Sequence, residues 1–272
     1  IKTDHLNYHK TFNKYLKTKT SISKNQKKED YLIINNDDDN INNFFKKKKN
    51  IKPQIIKISN KSQSNADIYY KNNIIYDNFF TKKKYSLRQS NFHKLKHNQL
   101  NSTIVFTALL ALGLKANKIL NNLNKFKGLP HRLEFLGSIK KIEFYNDSKA
   151  TNVAATCSAI NSFKKVILIA GGSDKGESFK DLNNYSNIII GIYLVGDNAL
   201  KIKNFLNKKI VNNICENLKE ALEKSYKKSL ESGKYYPILF SPASASFDNF
   251  KNYEIRGNYF KKLFNQIKKK VA

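Results

Sequence analysis

The 272-residue chain has no methionine, no tryptophan, two cysteines and four prolines. Without a methionine, residue 1 is not a translation start, so the expectation is a processed chain or the C-terminal portion of a longer one. Cys157 and Cys215 lie far apart and in no CxxC spacing. That excludes a disulfide framework or a zinc knuckle, casts both as structural residues, and fits a reducing, cytoplasmic setting. Long apolar runs are also missing. The longest, Thr103 to Leu114, falls well short of the ~20 residues a bilayer span needs, and the polar opening Ile-Lys-Thr-Asp-His is no signal peptide. Arginine is the scarcest charge, with Arg88, Arg132 and Arg256 as the only three among 50 basic residues.

Hydrophobic residues at 40% and aromatics at 12% suffice for a buried core. The length suggests two domains. With 21 acidic residues the net charge is +29, a field that attracts polyanions. Base-reading and phosphate-clamping surfaces favour the planar fork of arginine, however. Here lysines are spread along the whole chain among abundant Asn and Ile, as in an AT-rich proteome. The charge therefore points to composition rather than to a nucleic-acid-binding face, and no nucleic-acid partner and no membrane insertion are expected.

The first half reads as an amphipathic helix around Thr11–Ser23, a strand Tyr31–Asn35, and a solvated lysine run over Lys46–Lys49. Short β-prone pieces follow (Ile55–Ile58, Ile68–Tyr70, Asn73–Tyr76), suggesting an antiparallel or mixed sheet edge. A helix from Asn98 to about Leu112 stops near Gly113, and a second covers Ala116–Lys125. Gly128-Leu129-Pro130 marks a domain boundary. Beyond it, strands are expected at Ile139–Phe144, Lys165–Ala170, Ile188–Val195 and Pro237–Phe240. Helices are expected at Asn152–Ser162, at Leu218–Ser232, and from about Phe247 to Lys269 with Gly257 as a weak point. Strands alternating with helices argue an α/β, mostly parallel doubly wound domain, whose ligands sit at the carboxyl ends of the strands.

Four polar, compact segments fall at such element ends: Pro130-His131-Arg132, Asn146-Asp147-Ser148-Lys149-Ala150-Thr151-Asn152, Gly171-Gly172-Ser173-Asp174-Lys175, and Ser241-Pro242-Ala243-Ser244-Ala245-Ser246-Phe247-Asp248-Asn249-Phe250 followed by Arg256-Gly257. Read on their own, Asp147 could be a helix cap, Lys149 a surface lysine, and Gly-Gly-x-Asp-Lys any loop. In this order and spacing, however, they resemble the Mur ligase family, in its D-glutamate-adding branch. Asp4-His5-Leu6, then Tyr15 and Lys19, and His97-Asn98 extend the resemblance upstream; residues 40–95 are too divergent to align. The family's P-loop and Mg-binding glutamate precede the Asp-His-Leu segment and do not occur in these residues.

The resemblance implies a Rossmann-like C-terminal domain over residues 128–272, binding the amino acid, after the remainder of a central ATP-binding domain over 1–127. It implies an ATP-dependent ligase of peptidoglycan precursor synthesis, with ATP, D-glutamate and UDP-N-acetylmuramoyl-L-alanine as small-molecule substrates, Mg²⁺ as cofactor, and a monomer. The carboxylate of the UDP-sugar would be activated as an acyl phosphate. By resemblance, Asp147 holds the ribose hydroxyls, Asn98 the adenine and Arg132 the ATP, while Lys149 lies beside the reacting phosphate. Thr151 and Lys175 would take the α-carboxylate of D-glutamate. Ser246 and the backbones of Phe247 and Tyr253 would take its side-chain carboxylate. His5 would be a Mg²⁺ ligand and Lys19 a carbamylated lysine holding the metal; Asn7 and Tyr8 depart from the Asp-Arg usual after Asp-His-Leu. His131 is expected to be structural. The alternatives are another Mur-type amino-acid ligase, which would carry a different motif at Asn146–Asn152, and a basic nucleic-acid-binding protein.

Overall fold

The computed structural model describes residue 1 and residues 6–48, 50–61, 65–90 and 92–271. The chain divides into two compact units, Ile1–Phe126 and Lys127–Ala272. No helix among the described residues is long and apolar enough to cross a membrane.

The first unit runs α1 (Leu6–His9), α2 (Phe12–Thr20), β1 (Tyr31–Asn35), α3 (Asp39–Lys47), β2 (Gln54–Ser59), β3 (Ile68–Lys71), β4 (Ile74–Asp77), β5 (Lys83–Ser86), α4 (Lys96–Ala111) and α5 (Ala116–Lys125). Thr11 caps α2 by accepting from the Lys14 N–H, and a 3₁₀ turn over Ser21–Ser23 closes the expected helix. The five strands form one mixed sheet in chain order, parallel from β1 to β3 and antiparallel from β3 to β5. The expected β pieces are β2, β3 and β4, so they are the central strands of a mixed sheet and not its edge, which β1 and β5 form. α4 buries Thr103, Phe106, Thr107 and Leu110, residues three and four apart and so on one helix face. Phe106 and Leu110 pack with Ile56, Ile58, Ile68 and Ile75 of the sheet. Gly113 (φ +82°) ends α4 with its N–H on Leu110 O. The aspartate run before the lysines nucleates a helix that the pattern of residues did not suggest: Asp38 caps α3 at the Ile41 N–H, and Lys46 and Lys47 form its exposed last turn.

The second unit runs β6 (Glu134–Ile139), β7 (Ile142–Asn146), α6 (Val153–Ile160), β8 (Val166–Ala170), a 3₁₀ segment Lys180–Tyr185, β9 (Ile189–Leu194), α7 (Ala199–Phe205), β10 (Asn212–Ile214), α8 (Leu218–Glu231), β11 (Ile238–Phe240) and α9 (Tyr253–Val271). Its six-stranded sheet has the order β10-β9-β8-β11-β7-β6, parallel except for the β6/β7 hairpin. Residues of both parities in β8 are fully buried, so both faces are covered. Ile167, Ile169, Phe144 and Phe240 pack with Leu218 and Leu222 of α8 and with Phe260 and Phe264 of α9.

Three expectations need correction here. The single strand expected over Ile139–Phe144 spans a hairpin instead, taking in the end of β6, its turn and the first half of β7. Lys140 and Lys141 both take positive φ (+46° and +69°), a primed turn without the Asn-Gly that usually announces it. α9 starts at Tyr253 rather than near Phe247, because the Phe250 N–H turns back onto Ser246 O and Asn252 caps the helix by accepting from the Ile255 N–H. Gly257 is not a weak point of α9 but a contact: a Cβ there would collide with the His131 ring, whose Cε1 and Cγ would lie at 2.8 Å.

Candidate active site

β7 and β8 are separated by β11, the last strand in the chain, so the loops leaving the carboxyl ends of β7, β11, β8 and β9 converge where the strand order switches. Three of these loops hold the polar motifs. The β7 loop is Asn146–Asn152, the β8 loop starts at Gly171-Gly172, and the β11 loop starts at Ser241. Asn152 ends the first of them by capping α6 at the Ala155 N–H.

Asp147 lies inside this junction, 6% exposed. Its Oδ1 accepts from the Leu133 N–H (3.0 Å) and its Oδ2 from the Ser241 hydroxyl (2.8 Å). Burial pushes its carboxyl up to about 7, against the lowering effect of those bonds and of the Arg132 charge. Asp147 therefore ties the loop 131–133 to the end of β11. In that loop His131 and Leu133 are buried and adopt positive φ (+61° and +44°), while Arg132 between them is exposed. The loop is further held by the Lys149 N–H on His131 O (3.0 Å), the His131 N–H on Glu134 Oε2 (2.9 Å), and Asn146 Nδ2 donating to His131 Nδ1 (3.1 Å). The last bond places the neutral ring's proton on Nε2, and burial holds this imidazole below its ordinary range. The outcome is a guanidinium presented on a strapped, strained loop.

Lys149 and Lys175 are both exposed, and each stands over an aromatic ring of the segment before or at the start of α9. The Lys149 ammonium is 5.2 Å from the Tyr253 ring centroid and 3.5 Å from its hydroxyl; that of Lys175 is 5.8 Å from the Phe247 ring. Phe247 is 70% exposed, whereas Ser246 beside it is buried. The Ser246 hydroxyl makes no hydrogen bond among the described residues, and Ser246 O accepts from the Phe250 N–H (2.8 Å). The Ser173 N–H donates to Ala245 O (3.0 Å), bridging the Lys175 loop to the Ser246 loop. Thr151 is half-buried two residues after Lys149. Next to it, Glu177 accepts from the Val153 N–H (3.3 Å), so the Lys175 loop also touches the start of α6.

Arg256 was noted in the motif but given no role, and it is the hub of the junction. It is 3% exposed, and burial lowers its pKa to about 10. Its Nε donates to Ser148 Oγ (3.1 Å), one terminal nitrogen to Ala245 O (2.8 Å), and the other to Ser148 O (2.9 Å) and Ser244 O (3.0 Å). A buried guanidinium that bonds mostly to carbonyls fixes two loops in one register. Asn198, in the loop after β9 and immediately before α7, is a second buried polar residue of the junction that the motifs do not include.

In the first unit, Lys19 is exposed, its ammonium 5.5 Å from the Tyr15 ring centroid. Asn98 is buried in the first turn of α4, and its Nδ2 donates to Phe92 O (3.0 Å). His5 lies outside the described residues. Among the described residues, no three His, Cys, Asp or Glu side chains converge as a metal site would require.

Residues 1–114 match the Mur ligase middle domain. In sequence the chain is similar to the Mur ligases. It is 35% identical over 98% of its length to the UDP-N-acetylmuramoylalanine–D-glutamate ligase of Caldicellulosiruptor saccharolyticus, and 36% identical over 96% of its length to that of Aquifex aeolicus. It spans 59% of the length of each of these curated relatives. The structure of a pseudomurein peptide ligase type C from Methanothermus fervidus superposes with a TM-score of 0.68 at 18% identity, covering 98% of this chain and 62% of that one. The fold is therefore that of a Mur ligase, with mixed α/β architecture and parallel-rich sheets.

Proposed function

We propose that the complete gene product containing this chain is an ATP-dependent ligase that joins D-glutamate to UDP-N-acetylmuramoyl-L-alanine in peptidoglycan precursor synthesis. One observation carries the reading. Two exposed lysines and a buried serine hydroxyl, on three loops, gather at the switch point of a doubly wound sheet in a chain resembling relatives named for that reaction.

In this reading, residues 128–272 form the amino-acid-binding domain and residues 1–127 belong to the ATP-binding domain. The carboxylate of the UDP-sugar attacks the γ-phosphorus of ATP, releasing ADP and leaving an acyl phosphate. The glutamate amine then attacks the acyl carbon and expels inorganic phosphate. Lys149 offsets negative charge on the transferring phosphoryl group. Arg132, on its strapped loop, clamps the nucleotide. Asp147 meets the ribose hydroxyls, and Asn98, whose Oδ1 makes no hydrogen bond among the described residues, meets the adenine. Lys175 and Thr151 take one carboxylate of D-glutamate; Ser246 and the backbones of Phe247 and Tyr253 take the other. The ring contacts of Lys149 and Lys175 hold each ammonium over a π-face until an anion replaces it. Mg²⁺ would supply charge neutralisation at the phosphates, but the described residues do not by themselves build its site, and no step above depends on it. A cytoplasmic monomer suits a soluble UDP-linked substrate and two buried thiols.

The test is a ligase assay of the complete gene product with ATP, Mg²⁺, the UDP-sugar and a panel of amino acids. Phosphate release that depends on D-glutamate and on the UDP-sugar is expected. Turnover with an uncharged or diamino acid in its place refutes the substrate assignment.

A further inference from the structure

The β9 loop carries none of the four motifs, yet it joins the two loops proposed to grip the amino acid. Asn198 is 1% exposed. Its Oδ1 accepts from the Gly172 N–H (2.9 Å), and its Nδ2 donates to Ser244 Oγ (2.8 Å). Its own N–H donates to Gly172 O (3.1 Å), so the β8 loop is held through both backbone polar groups of one residue. The acceptor end of one amide thus fixes the loop that carries Lys175 three residues later. Its donor end fixes the loop that carries Ser246 two residues later, and reaches Ser173 O of the β8 loop at 3.5 Å as well. Ser244 is held a second time through its carbonyl, by Arg256.

The junction has no slack to absorb the loss of this link. A Cβ on Gly172 would collide with Ala245 O, and one on Gly196 would collide with the Asp248 carboxylate and meet Gly172 Cα at 2.8 Å. The backbones of the three loops are in direct contact, and Asn198 is a side chain hydrogen-bonded to the other two. A dicarboxylic amino acid has a fixed distance between its carboxylates. The spacing between the Lys175 ammonium and the Ser246 hydroxyl must match it, and that spacing follows from how the two loops are registered.

Resting on the ligase reading above, we infer that Asn198 is a positioning residue for the amino-acid site. It sets the spacing of the two carboxylate-binding loops and hence the chain length of the amino acid accepted. The experiment compares Asn198→Leu, Ser244→Ala and the double variant in the complete gene product. KM is measured for D-glutamate, for D-aspartate, shorter by one methylene, and for ATP. Ser244→Ala, which removes one neutral hydrogen bond, should raise the D-glutamate KM roughly 2- to 12-fold; Asn198→Leu, which also removes the bond to Gly172, should raise it at least as much, and both should narrow the preference for D-glutamate over D-aspartate. The ATP KM should stay unchanged, and the double variant should be no worse than Asn198→Leu alone, because that substitution already removes the bond to Ser244. Should Asn198→Leu fail to fold, Ser244→Ala, which leaves the Gly172 bond intact, decides alone. An unchanged D-glutamate KM, or D-glutamate and ATP KM values rising together, overturns the proposal. Absence of any D-glutamate dependence in the unsubstituted protein overturns instead the ligase reading on which it rests.

Discussion

Gly257→Ala should destabilise the second unit, although helix propensity alone argues the opposite. At an open position inside a 19-residue helix such as α9, replacing glycine by alanine gains ~1 kcal/mol. Gly257 is not open, because the methyl group would enter the space of the His131 ring, with Cε1 and Cγ at 2.8 Å. The ring cannot simply retreat. It accepts from Asn146 Nδ2, which also donates to Gly257 O, and its backbone is held at φ +61° by the Glu134 and Lys149 bonds. Overpacking costs ~1–3 kcal/mol, and displacing the imidazole forfeits a buried hydrogen bond worth ~0.5–1.5 kcal/mol. Set against the propensity gain, the net loss is about 0.5–3.5 kcal/mol. Hydrogen exchange of the β7 and α9 amides reads it, since their protection reports the opening of this unit rather than of the first. In a His131→Ala background the methyl group occupies vacated space, so the same substitution should cost at least ~1 kcal/mol less. Increased protection in the single variant, or strict additivity in the pair, would refute the account of His131 as a wedge between β7 and α9.

Lys175→Ala should raise the D-glutamate KM roughly 10- to 150-fold with little change for ATP, since it removes a charge-assisted bond. Ser246→Ala should raise it only about 2- to 12-fold, because backbone donors remain. Steady-state kinetics would show both. Lys149→Ala should instead lower kcat, its charge serving the transition state; an unchanged kcat with a raised KM would assign it to binding alone. Cleavage by limited proteolysis near Gly128-Leu129-Pro130 should leave a folded fragment of residues 130–272, and loss of that fragment would count against a domain boundary there. Asp147, with a folded pKa raised to about 7, binds its proton in the native state where the unfolded chain has released it. Its contribution is thus present below about pH 4 and is lost as pH rises through 7. His131, whose folded pKa is lowered, acts in the opposite sense below about 6.5. Asp147→Asn should therefore abolish the loss of stability between pH 4 and 8 attributable to this group, which the difference between the denaturation curves of the two proteins isolates. Identical pH dependence would sink the assignment.

Elements announced by local chemistry were legible in the sequence. α5 was placed at its observed ends, and β8, β9 and β11 to within a residue or two, because apolar runs bounded by Gly or Pro leave little choice. The elements that escaped were those whose signals are tertiary. β6 and β7 merged into one expected strand because Lys140-Lys141 is a poor primed-turn sequence, held by the sheet pairing on either side. α7 and β10 were missed because they are short, seven and three residues, and little of β10 is buried. The false start of α9 came from the apolar Phe247 and Phe250, which belong to a loop anchored by Ser246.

The candidate site divides along the same line. Residues proposed to face a ligand lie in dense polar motifs at strand ends, so the sequence displays them one beside the next. Residues that hold those motifs in register do not. Asn198 sits in an unremarkable Gly-Asp-Asn turn, and Arg256 lies more than a hundred residues from the Ser148 it binds. Their value exists only once β7, β8, β9 and β11 are side by side. Arg256 also shows why scarcity carries information in a chain with 50 basic residues. Lysine serves the solvated faces everywhere, whereas this interior position needs several donors in a rigid plane to reach three carbonyls and a hydroxyl at once. An ammonium has three donors on a flexible stem and loses more on burial. Arg256→Lys should therefore loosen both loops despite conserving charge, raising the D-glutamate KM while the ATP KM holds; kinetics indistinguishable from the unsubstituted protein would show that charge alone, not the planar fork, keeps the junction in register.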